Sequence, residues 1–472
     1  MDIKEKINEV IKACQNPDIY ADILNDFFKD GIALPSKNLN KLNILPYLNT
    51  KELEKNIKKN ISIISSYIKN DLQSIDEAYK VLSCIYGCFL GDAMGAFCEF
   101  QQASKNNYKS IFNSEVTVIG GLCGQVTDDS EMAMSFAYAI MDSTEKENLD
   151  VNYIYFYYGA WYKTGPLDIG TTTEKALKPF NFYDYLPEKK NFNKIQDTIF
   201  TQNFKSLSNG FLMRKSTFIA WLYYRFYSEI HTAFNPIDDN KYLLKLYKKI
   251  KQLSGIDNQC TNPNFESNAV SAFYCLMALG AIKGYKASNI IEKISFLCKD
   301  NYFKNQKDED KNIANYILYC IKTFKDLKFD YSNFFINQKS PHCVNNNIGY
   351  YGHAFELTLY YLIHFDQFDE KDKFKTIMNE ICNLGGDTDT NACIVGGVIG
   401  PLIGFSKFSD FDRIINIIPP HRAEYSIALM YLYIRYLKLS NRRDELIKNN
   451  RYFLKIILDL LYGEVEIDYI SN

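Results

Sequence analysis

The sequence predicts an all-α protein. Apolar residues recur with the 3.6-residue period of an α-helix in long segments, whereas the two-residue alternation typical of half-buried strands is scarce. The helical segments are 132–141, 153–161, 211–227, 269–281, 355–365 and 423–437. Because the chain of 472 residues exceeds one ordinary core, we expect one large helical domain with a smaller unit attached.

Residues 1–74 differ from the rest in being rich in Lys, Asn and Ile. The stretches IKEKINEVIKAC and KELEKNIKKNISIISSYIKN carry helical patterns, and proline and asparagine interrupt the chain between them. We therefore predict a helical N-terminal extension over 1–74, with no role that the sequence specifies. Residues 75–440 form the predicted main domain, and 441–472 a C-terminal helical segment packed on it.

Charge and cysteine content exclude several classes of protein. Basic and acidic residues nearly balance, 54 against 56, so no overall field attracts nucleic acid or an anionic membrane, and we expect neither as a partner. The twelve cysteines form no CxxC pair, and many lie in apolar segments, as reduced thiols do. Together with the absence of a signal-peptide pattern in MDIKEKINEV, this predicts a cytoplasmic protein.

Two apolar segments carry glycine at every fourth position: Gly87, Gly91 and Gly95, then Gly396, Gly400 and Gly404. Every fourth residue lies on one face of a helix, so each segment would present a stripe without side chains. Since glycine inside a helix costs about 1 kcal/mol relative to alanine, we favour close packing of the two backbones. The alternative is that these glycines punctuate loops, with Pro401 kinking or ending the second helix.

Two predicted helix starts are acidic. The groups are Thr127, Asp128 and Asp129 in TDDSEMA, and Asp387, Asp389 and Thr390 in GGDTDTNAC. Each alone is explained by helix capping, because Thr and Asp are good N-caps and acids suit the helix dipole. If the two starts converge, however, their carboxylates would repel one another without cations, and no run of Lys or Arg adjoins either start. Mg²⁺ and Mn²⁺ prefer such oxygen ligands, and none of the five histidines has the paired spacing of a zinc site.

Two other readings of the DTDT stretch fail. A DxDxT phosphatase loop follows a buried strand, whereas NEICNLGG has a helical pattern. An EF-hand loop beginning at Asp387 would need glycine at its sixth position and glutamate at its twelfth, where the chain has Ala392 and Val398.

The first glycine-striped segment carries Asp92 and Glu99, which lie two helical turns apart on one face. A lone acid on an apolar helix is costly to bury unless it is paired or bound to metal. For Asp92 we favour capping or hydrogen bonding to backbone groups. Glu99 lies toward the end of the helix, where its carboxylate could reach a cleft, and the alternative for it is a surface acid.

Five motifs in order carry a resemblance to a known family: GCFLGDAMGAFCEF, TDDSEMA, YKTGPLDIGTTT, SLSNGFLMR and GGDTDTNACIVGGVIG. Over roughly residues 75–425 the chain resembles the ADP-ribosylglycohydrolases, which include the dinitrogenase reductase-activating glycohydrolase and the hydrolases of ADP-ribosylated arginine and serine. The resemblance implies an orthogonal helical domain with two Mg²⁺ or Mn²⁺ ions at the centre of a cleft. It implies a hydrolase that removes ADP-ribose from modified protein side chains, and it leaves residues 1–74 unexplained.

The resemblance also implies roles for particular residues. The metal ligands would be Thr127, Asp128, Asp129, Asp387, Asp389 and Thr390. The candidate catalytic residues are Glu99, as acid/base, and Asp128. The substrate-binding residues would be Gly170, Thr171, Thr172, Ser208, Asn209, Gly210 and Tyr350.

Four positions stay open at this stage. Arg214 is either a phosphate contact or one partner of a buried ion pair, and either Tyr350 or Tyr351 could stack on adenine or simply pack. Asn262 stands where many family members have a histidine, which puts one cleft contact in doubt.

The main functional hypothesis is therefore an enzyme that acts on ADP-ribosylated protein or ADP-ribose. The second is a binding or immunity-type protein that neutralises an ADP-ribosylating partner through residues 1–74. A non-enzymatic structural relative is the third, and the preserved metal-ligand pattern speaks against it.

Overall fold

A computed structural model describes residues 75–101, 103, 126–142, 149–163, 166–181, 184–235, 240–305, 309–327, 332–369 and 372–404. Within these ranges the chain is helical and contains no strand, only one isolated bridge between Ser208 and Tyr350. The all-α prediction is confirmed. The predicted extension 1–74, the helix at 423–437 and the segment 441–472 lie outside the described residues.

Sixteen α-helices are seen in these ranges. They are α1 Ile75–Gly95, α2 Asp128–Asp142, α3 Val151–Lys163, α4 Thr171–Leu177, α5 Asn193–Asn203, α6 Ser216–Arg225, α7 Tyr227–Ala233, α8 Asn240–Asn258, α9 Phe265–Ile282, α10 Ala287–Cys298, α11 Asn301–Asn305, α12 Glu309–Asp326, α13 Ser332–Ile336, α14 Tyr351–Ile363, α15 Lys373–Leu384 and α16 Thr388–Ile403. Three short 3₁₀ helices lie at Pro187–Lys189, Asn209–Phe211 and Phe365–Gln367.

The predicted segment 211–227 is not one helix. It divides into the end of a 3₁₀ turn, then α6 and the start of α7, because Phe226 leaves the helical conformation with φ −118° and ψ 34°. The side chain of Phe226 is nevertheless buried. Apolar periodicity reports which side chains are buried, and here burial continues through a break in the backbone.

Helix α9 forms the centre of the core. Nearly all of its side chains are buried, as expected of a helix that is apolar all round. Among the described helices it alone is long and apolar enough to suit a membrane span, and 83% of it is buried inside the protein. A core helix passes the same test of length and composition.

Helices α1 and α16 pack backbone against backbone along the two glycine stripes. A methyl group at Gly87 would lie 2.2 Å from the carbonyl oxygen of Gly396, and one at Gly91 would lie 2.2 Å from that of Ala392. The prediction of close packing is therefore confirmed. Gly404 is the exception, because it has open space around it and ends α16 with φ +87°. Helix α16 ends two residues after Pro401.

A buried group of paired charges lies between α6 and α8, and we call Arg214, Lys215 and Asp257 the paired-charge cluster. All three side chains are fully buried, and an Arg214 guanidinium nitrogen lies 3.2 Å from the Asp257 carboxylate. Lys215 also contacts Asp257, and Tyr158 donates a hydrogen bond to it at 2.7 Å. The question about Arg214 is thereby answered: it is one partner of a buried ion pair.

Candidate metal centre and active site

The glycine-striped packing brings together the three acidic segments of the sequence. Gly95, at the end of α1, lies so close to the start of α16 that a methyl group there would be 2.3 Å from the Cα of Asp389. Thr388 fastens the same junction by donating a hydrogen bond to the carbonyl of Gly95 at 2.7 Å. We call the carboxylates collected here the acidic cluster: Asp92, Glu99, Asp128, Asp129, Asp168, Asp387 and Asp389.

The glycine pair before the DTDT stretch allows the chain to enter this junction. Gly385 and Gly386 both have positive φ, +75° and +77°, a conformation that side chains disfavour. A methyl group at Gly385 would also lie 2.3 Å from the carbonyl oxygen of Gln101. The turn therefore needs glycine for both its backbone conformation and its close approach.

Asp92 fastens the start of α2 to α1. Its carboxylate accepts hydrogen bonds from the Thr127 N–H at 3.0 Å, the Thr127 hydroxyl at 2.9 Å and the Ser130 N–H at 3.1 Å. The Ser130 hydroxyl donates to it as well. The interpretation of Asp92 as an acceptor for backbone groups is confirmed, and most of its acceptor capacity is used within the protein.

Asp129 and Asp389 face each other with fewer partners. One oxygen of Asp129 accepts long hydrogen bonds from Thr127, 3.3 Å, and from Thr390, 3.4 Å, while its Oδ1 is buried without a partner. Asp389 accepts from the Thr390 N–H at 2.7 Å. One oxygen each of Asp92, Asp129 and Asp389 lie within 4.8 Å of one another, which is a spacing that a metal ion could bridge.

A second group of three carboxylates shares Asp389. One oxygen each of Glu99, Asp387 and Asp389 also lie within 4.8 Å of one another. Asn209 donates a hydrogen bond to Asp387 at 2.7 Å, whereas Oε2 of Glu99 is buried without a partner. Two adjacent sets of oxygen ligands therefore meet at one aspartate.

Burial and mutual repulsion disfavour the charged form of most carboxyls in the acidic cluster. Burial, followed by the carboxylates of Asp168, Asp387 and Asp92, raises the pKa of Glu99 to about 9. Burial also raises the pKa of Asp92 to about 7. Burial first and neighbouring carboxylates second raise the pKa values of three more side chains well above their usual range: Asp128, Asp129 and Asp389.

These residues fit a divalent cation of the hard class. In the part of the chain that the structure describes, no Lys or Arg forms an ion pair with any member of the acidic cluster. The donors are carboxylate and hydroxyl oxygens, which Mg²⁺ and Mn²⁺ prefer. The buried oxygens Oδ1 of Asp129 and Oε2 of Glu99 have no hydrogen-bond partner in the protein, so they are available to coordinate a cation.

Asp128 lies slightly apart from the two sets. It is buried, and this burial, together with the neighbouring carboxylate of Asp168, raises its pKa well above the usual range. The sequence analysis did not single out Asp168. This half-buried acid is the first residue of the DIGTTT segment, two positions before the predicted substrate contact Gly170. The available signal was an acid directly ahead of a glycine-containing helix start.

The predicted substrate loop begins α4. Gly170 and Thr171 are exposed, and Gly170 is the N-cap residue of the helix. The Thr172 hydroxyl lies 2.8 Å from that of Ser206, so it is engaged within the protein. The loop reaches the acidic cluster through Asp168, two residues before Gly170.

The second predicted substrate segment, Ser208 to Gly210, is tied to the segment before α14. Ser208 pairs with Tyr350 in the isolated bridge, and the Asn209 N–H donates to the carbonyl of Gly349 at 2.8 Å. The Asn209 side chain reaches Asp387, so this segment is in direct contact with the acidic cluster. Gly210 is buried next to them.

Asn262 and the two tyrosines have defined surroundings. Asn262 is fully buried and donates to the Ser208 hydroxyl at 2.9 Å, so it supports the Ser208 segment. Tyr351 is buried and donates to Glu266 at 3.1 Å. Tyr350 is half-buried, with its ring 4.9 Å from that of Tyr351, and is the more accessible of the pair.

Comparison with known proteins gives consistent matches. The sequence profile of the ADP-ribosylglycohydrolase family matches residues 73–413. A protein of Acanthamoeba polyphaga mimivirus that carries the provisional name ADP-ribosyl glycohydrolase is 30% identical over 332 residues, which are 68% of this chain and 86% of that protein. The ADP-ribosyl-dinitrogen reductase glycohydrolase of Rhodospirillum rubrum is 29% identical over 104 residues, 21% of this chain and 34% of that protein.

A solved structure described as an ADP-ribosylglycohydrolase-related protein complex has a TM-score of 0.48 and 15% identity, and the match covers 76% of this chain and 99% of that one. The family match spans α1 to α16 and so includes both acidic helix starts.

Proposed function

Because the chain belongs to the ADP-ribosylglycohydrolase family, we propose that it hydrolyses the bond between ADP-ribose and a protein side chain with the help of two divalent cations. Hydrolytic removal of ADP-ribose is the activity of the family. The observation that carries the proposal is the pair of carboxylate sets that share Asp389. The raised pKa values of Glu99, Asp129 and Asp389 and the unpartnered buried oxygens of Glu99 and Asp129 are expected of a cation site.

The proposed metal ligands are the residues at the two helix starts: Thr127, Asp128, Asp129, Asp387, Asp389 and Thr390. When bound, two Mg²⁺ or Mn²⁺ ions would supply the positive charge that offsets the carboxylates and fixes the vicinal hydroxyls of the ribose. Asp92 orients the first of these starts and Asn209 orients Asp387, through the hydrogen bonds already described.

The anionic part of the substrate would bind by local geometry, since the chain has a net charge of only −2. Backbone N–H groups at a helix start suit phosphate oxygens. The candidate phosphate contacts are Gly170, Thr171 and Thr172 at the start of α4, and Ser208 and Gly210 before α6. Asn209, whose N–H donates to Gly349 and whose side chain donates to Asp387, would hold this second segment beside the substrate. Tyr350, which is partly exposed beside Ser208, is the candidate to stack on adenine.

Glu99 is the proposed acid/base. In the reaction the bond from the anomeric carbon to the acceptor atom breaks, and a bond from that carbon to a water oxygen forms. Glu99 donates its proton to the departing acceptor atom and then, as the carboxylate, accepts a proton from the attacking water, so that charge and atoms balance. Neighbouring positive charge would lower the pKa of Glu99 from about 9 toward the operating pH, where proton exchange is most effective.

The test is release of ADP-ribose from proteins modified on arginine or on serine, with Mg²⁺ or with EDTA. We expect release of ADP-ribose from one of these two classes of modified protein, and only when Mg²⁺ is present. Asp387→Ala should abolish it, because the variant lacks a carboxylate of one set, and Asp197→Ala, which removes an exposed acid of α5, should not. Full activity of Asp387→Ala in EDTA would reject the cation-dependent mechanism.

Glu99→Gln separates chemistry from binding. The amide keeps the size of the side chain but cannot exchange a proton, so turnover should fall by about 10²–10⁴-fold while ADP-ribose and Mg²⁺ still bind. The matched control is Glu292→Gln on the exposed face of α10. Undiminished turnover of Glu99→Gln, measured under saturating substrate, would remove Glu99 from the mechanism.

The N-terminal extension supports a second candidate function. The family match begins at residue 73, so almost all of residues 1–74 lies outside it. In this alternative the extension binds a partner protein, such as an ADP-ribosylating enzyme. Deleting 1–74 should then abolish partner binding, and a truncated protein that keeps both binding and activity would contradict the idea. We also propose a cytoplasmic location, because the ten described cysteines are all buried and unbridged.

A further inference from the structure

Three exposed apolar side chains stand next to residues of the acidic cluster or of its border. Phe100 follows Glu99 and is 58% exposed, Leu167 precedes Asp168 and is 38% exposed, and Ile348 is 47% exposed. Ile348 precedes Gly349, where a methyl group would lie 3.5 Å from the carboxylate of Asp387. We call Phe100, Leu167 and Ile348 the apolar rim.

Phe100 is held in a conformation that its side chain disfavours. Its φ is +58°, in the left-handed region, where a bulky residue is an outlier and glycine is favoured. The backbone is fixed there because the Phe100 N–H donates to the carbonyl of Gly386 at 2.8 Å, one residue before Asp387. The ring is exposed, so burial within the protein does not compensate for the strain. A strained residue beside a reactive site suggests a use outside the fold.

We propose that the apolar rim binds the acceptor side of the scissile bond, and that the substrates are proteins whose residues flanking the ADP-ribosylated side chain are apolar or aromatic. The inference rests on the proposed hydrolase function and names its substrate class. Phe100 follows Glu99 in sequence, and its backbone bonds to Gly386, next to Asp387, so an exposed apolar side chain is attached at the edge of the acidic cluster. Removing apolar surface from water on both partners provides the binding free energy.

The charges nearby favour a protein acceptor over a nucleic acid. The chain has a formal net charge of −2, and among the described residues no Lys or Arg forms an ion pair with the acidic cluster, so no basic surface is seen there that would bind the additional phosphates of a nucleic acid. A nucleic-acid acceptor would bring its phosphates to three apolar side chains that offer them no counter-charge. A polypeptide with apolar flanks meets neither difficulty, because it carries no backbone charge and has apolar surface to bury.

The test compares three substrates that carry ADP-ribose on the same type of residue. That type is the one, arginine or serine, from which the wild-type protein releases ADP-ribose. Two are peptides, with Leu and Phe or with Ser at the flanking positions, and the third is the single ADP-ribosylated amino acid. We expect wild-type kcat/KM to be about tenfold higher for the apolar-flanked peptide than for the Ser-flanked one. An ADP-ribosylated oligonucleotide should be a poorer substrate than either peptide.

Phe100→Gly removes one side chain of the apolar rim and should not destabilise the fold, because glycine readily adopts the positive φ of this position. We expect it to lose most of the preference for the apolar-flanked peptide, with an unchanged or higher melting temperature. Its rate on the single amino acid and its affinity for free ADP-ribose should be unchanged. Leu167→Ser should reduce the preference in the same way, whereas Phe296→Ala, which removes an exposed ring from α10, should leave it intact.

Equal wild-type rates on the two peptides would overturn the inference. So would a loss of ADP-ribose affinity in Phe100→Gly, which would assign the ring to adenine, or fastest release from the oligonucleotide. Failure of the hydrolase function itself is distinguishable, because the wild-type protein would then release ADP-ribose from none of these substrates.

Discussion

Asp257 of the paired-charge cluster and Asp129 and Asp389 of the acidic cluster are all buried carboxylates, but their surroundings shift their pKa values in opposite directions. Asp257 is fully buried between Arg214 and Lys215, and these cations hold its pKa below the usual range although burial opposes them. Asp129 and Asp389 are also buried, but their described neighbours are other carboxylates and hydroxyls, and their pKa values are raised.

This difference distinguishes a carboxylate that stabilises the fold, Asp257, from carboxylates that are available to bind a ligand, those of the acidic cluster. The protein supplies the counter-charges of Asp257 from its own chain, so this cluster is complete when the chain folds. The acidic cluster is assembled at a cost in repulsion and desolvation, and it becomes neutral only by taking up protons or cations. A buried charge that the fold leaves uncompensated is therefore the better marker of a functional site in this molecule.

The largest expected effect comes from breaking the complete cluster. Asp257→Asn leaves Arg214 and Lys215 buried without their carboxylate, so the free energy of unfolding should fall by about 3–5 kcal/mol. Asp129→Asn, the matched change in the acidic cluster, should leave metal-free stability unchanged or raised, because it removes a repulsive charge. Urea unfolding in EDTA measures both, and a similar loss in the two variants would contradict the distinction.

A second experiment disturbs the acidic cluster without changing any charge. A methyl group in Gly91→Ala would meet the backbone of Ala392 at 2.2 Å, so α1 and α16 must separate, at a cost of about 1–3 kcal/mol. Activity and Mg²⁺-dependent stabilisation should both fall. Gly255→Ala in α8 meets only the Asn268 side chain, at 3.2 Å, and should cost little or stabilise the helix. Equal effects of the two changes would show that the stripe does not position the ligands.

A third experiment uses the opposite pH dependence of the two clusters, which appears as a gradual change in stability for each unit of pH. Asp92 and Glu99 have folded pKa values of about 7 and about 9 against ordinary values of 3.8 and 4.5. Between these limits the folded state binds more protons than the unfolded state, so metal-free stability should fall as pH rises from about 4 to about 9, by up to about 1.4 kcal/mol per pH unit for each proton.

Saturating Mg²⁺ should flatten this slope, because cations replace the protons. The contribution of Asp257 has the opposite sign: its pKa is lowered, so its stabilisation is present above its ordinary pKa and is lost as the pH falls through the lowered value. Thermal unfolding across pH, with EDTA or Mg²⁺, measures both arms. A metal-free protein that gains stability from pH 5 to 8 would contradict the raised pKa values.

Some of the site could be predicted from local sequence. Helix starts rich in Thr and Asp are recognisable without tertiary information, and the four-residue glycine spacing predicted the packing of α1 on α16. Asp168 was overlooked because its closeness to Asp128 depends on how the 166–170 segment crosses the domain. Gly404 was assigned to the stripe because spacing alone does not distinguish an internal glycine from one that ends a helix.

The sequence by itself determined the all-α class, the identity of the oxygen-bearing residues and the segments that can approach closely, because helical periodicity, capping preference and the lack of a side chain are local properties. Only the tertiary structure decided that Asp92 fastens α2, that Asp389 belongs to two carboxylate sets and that Arg214 pairs with Asp257. Those outcomes depend on residues 35 to 297 positions apart meeting in a buried space, where distance and desolvation, and not the local pattern, set the charge of each group.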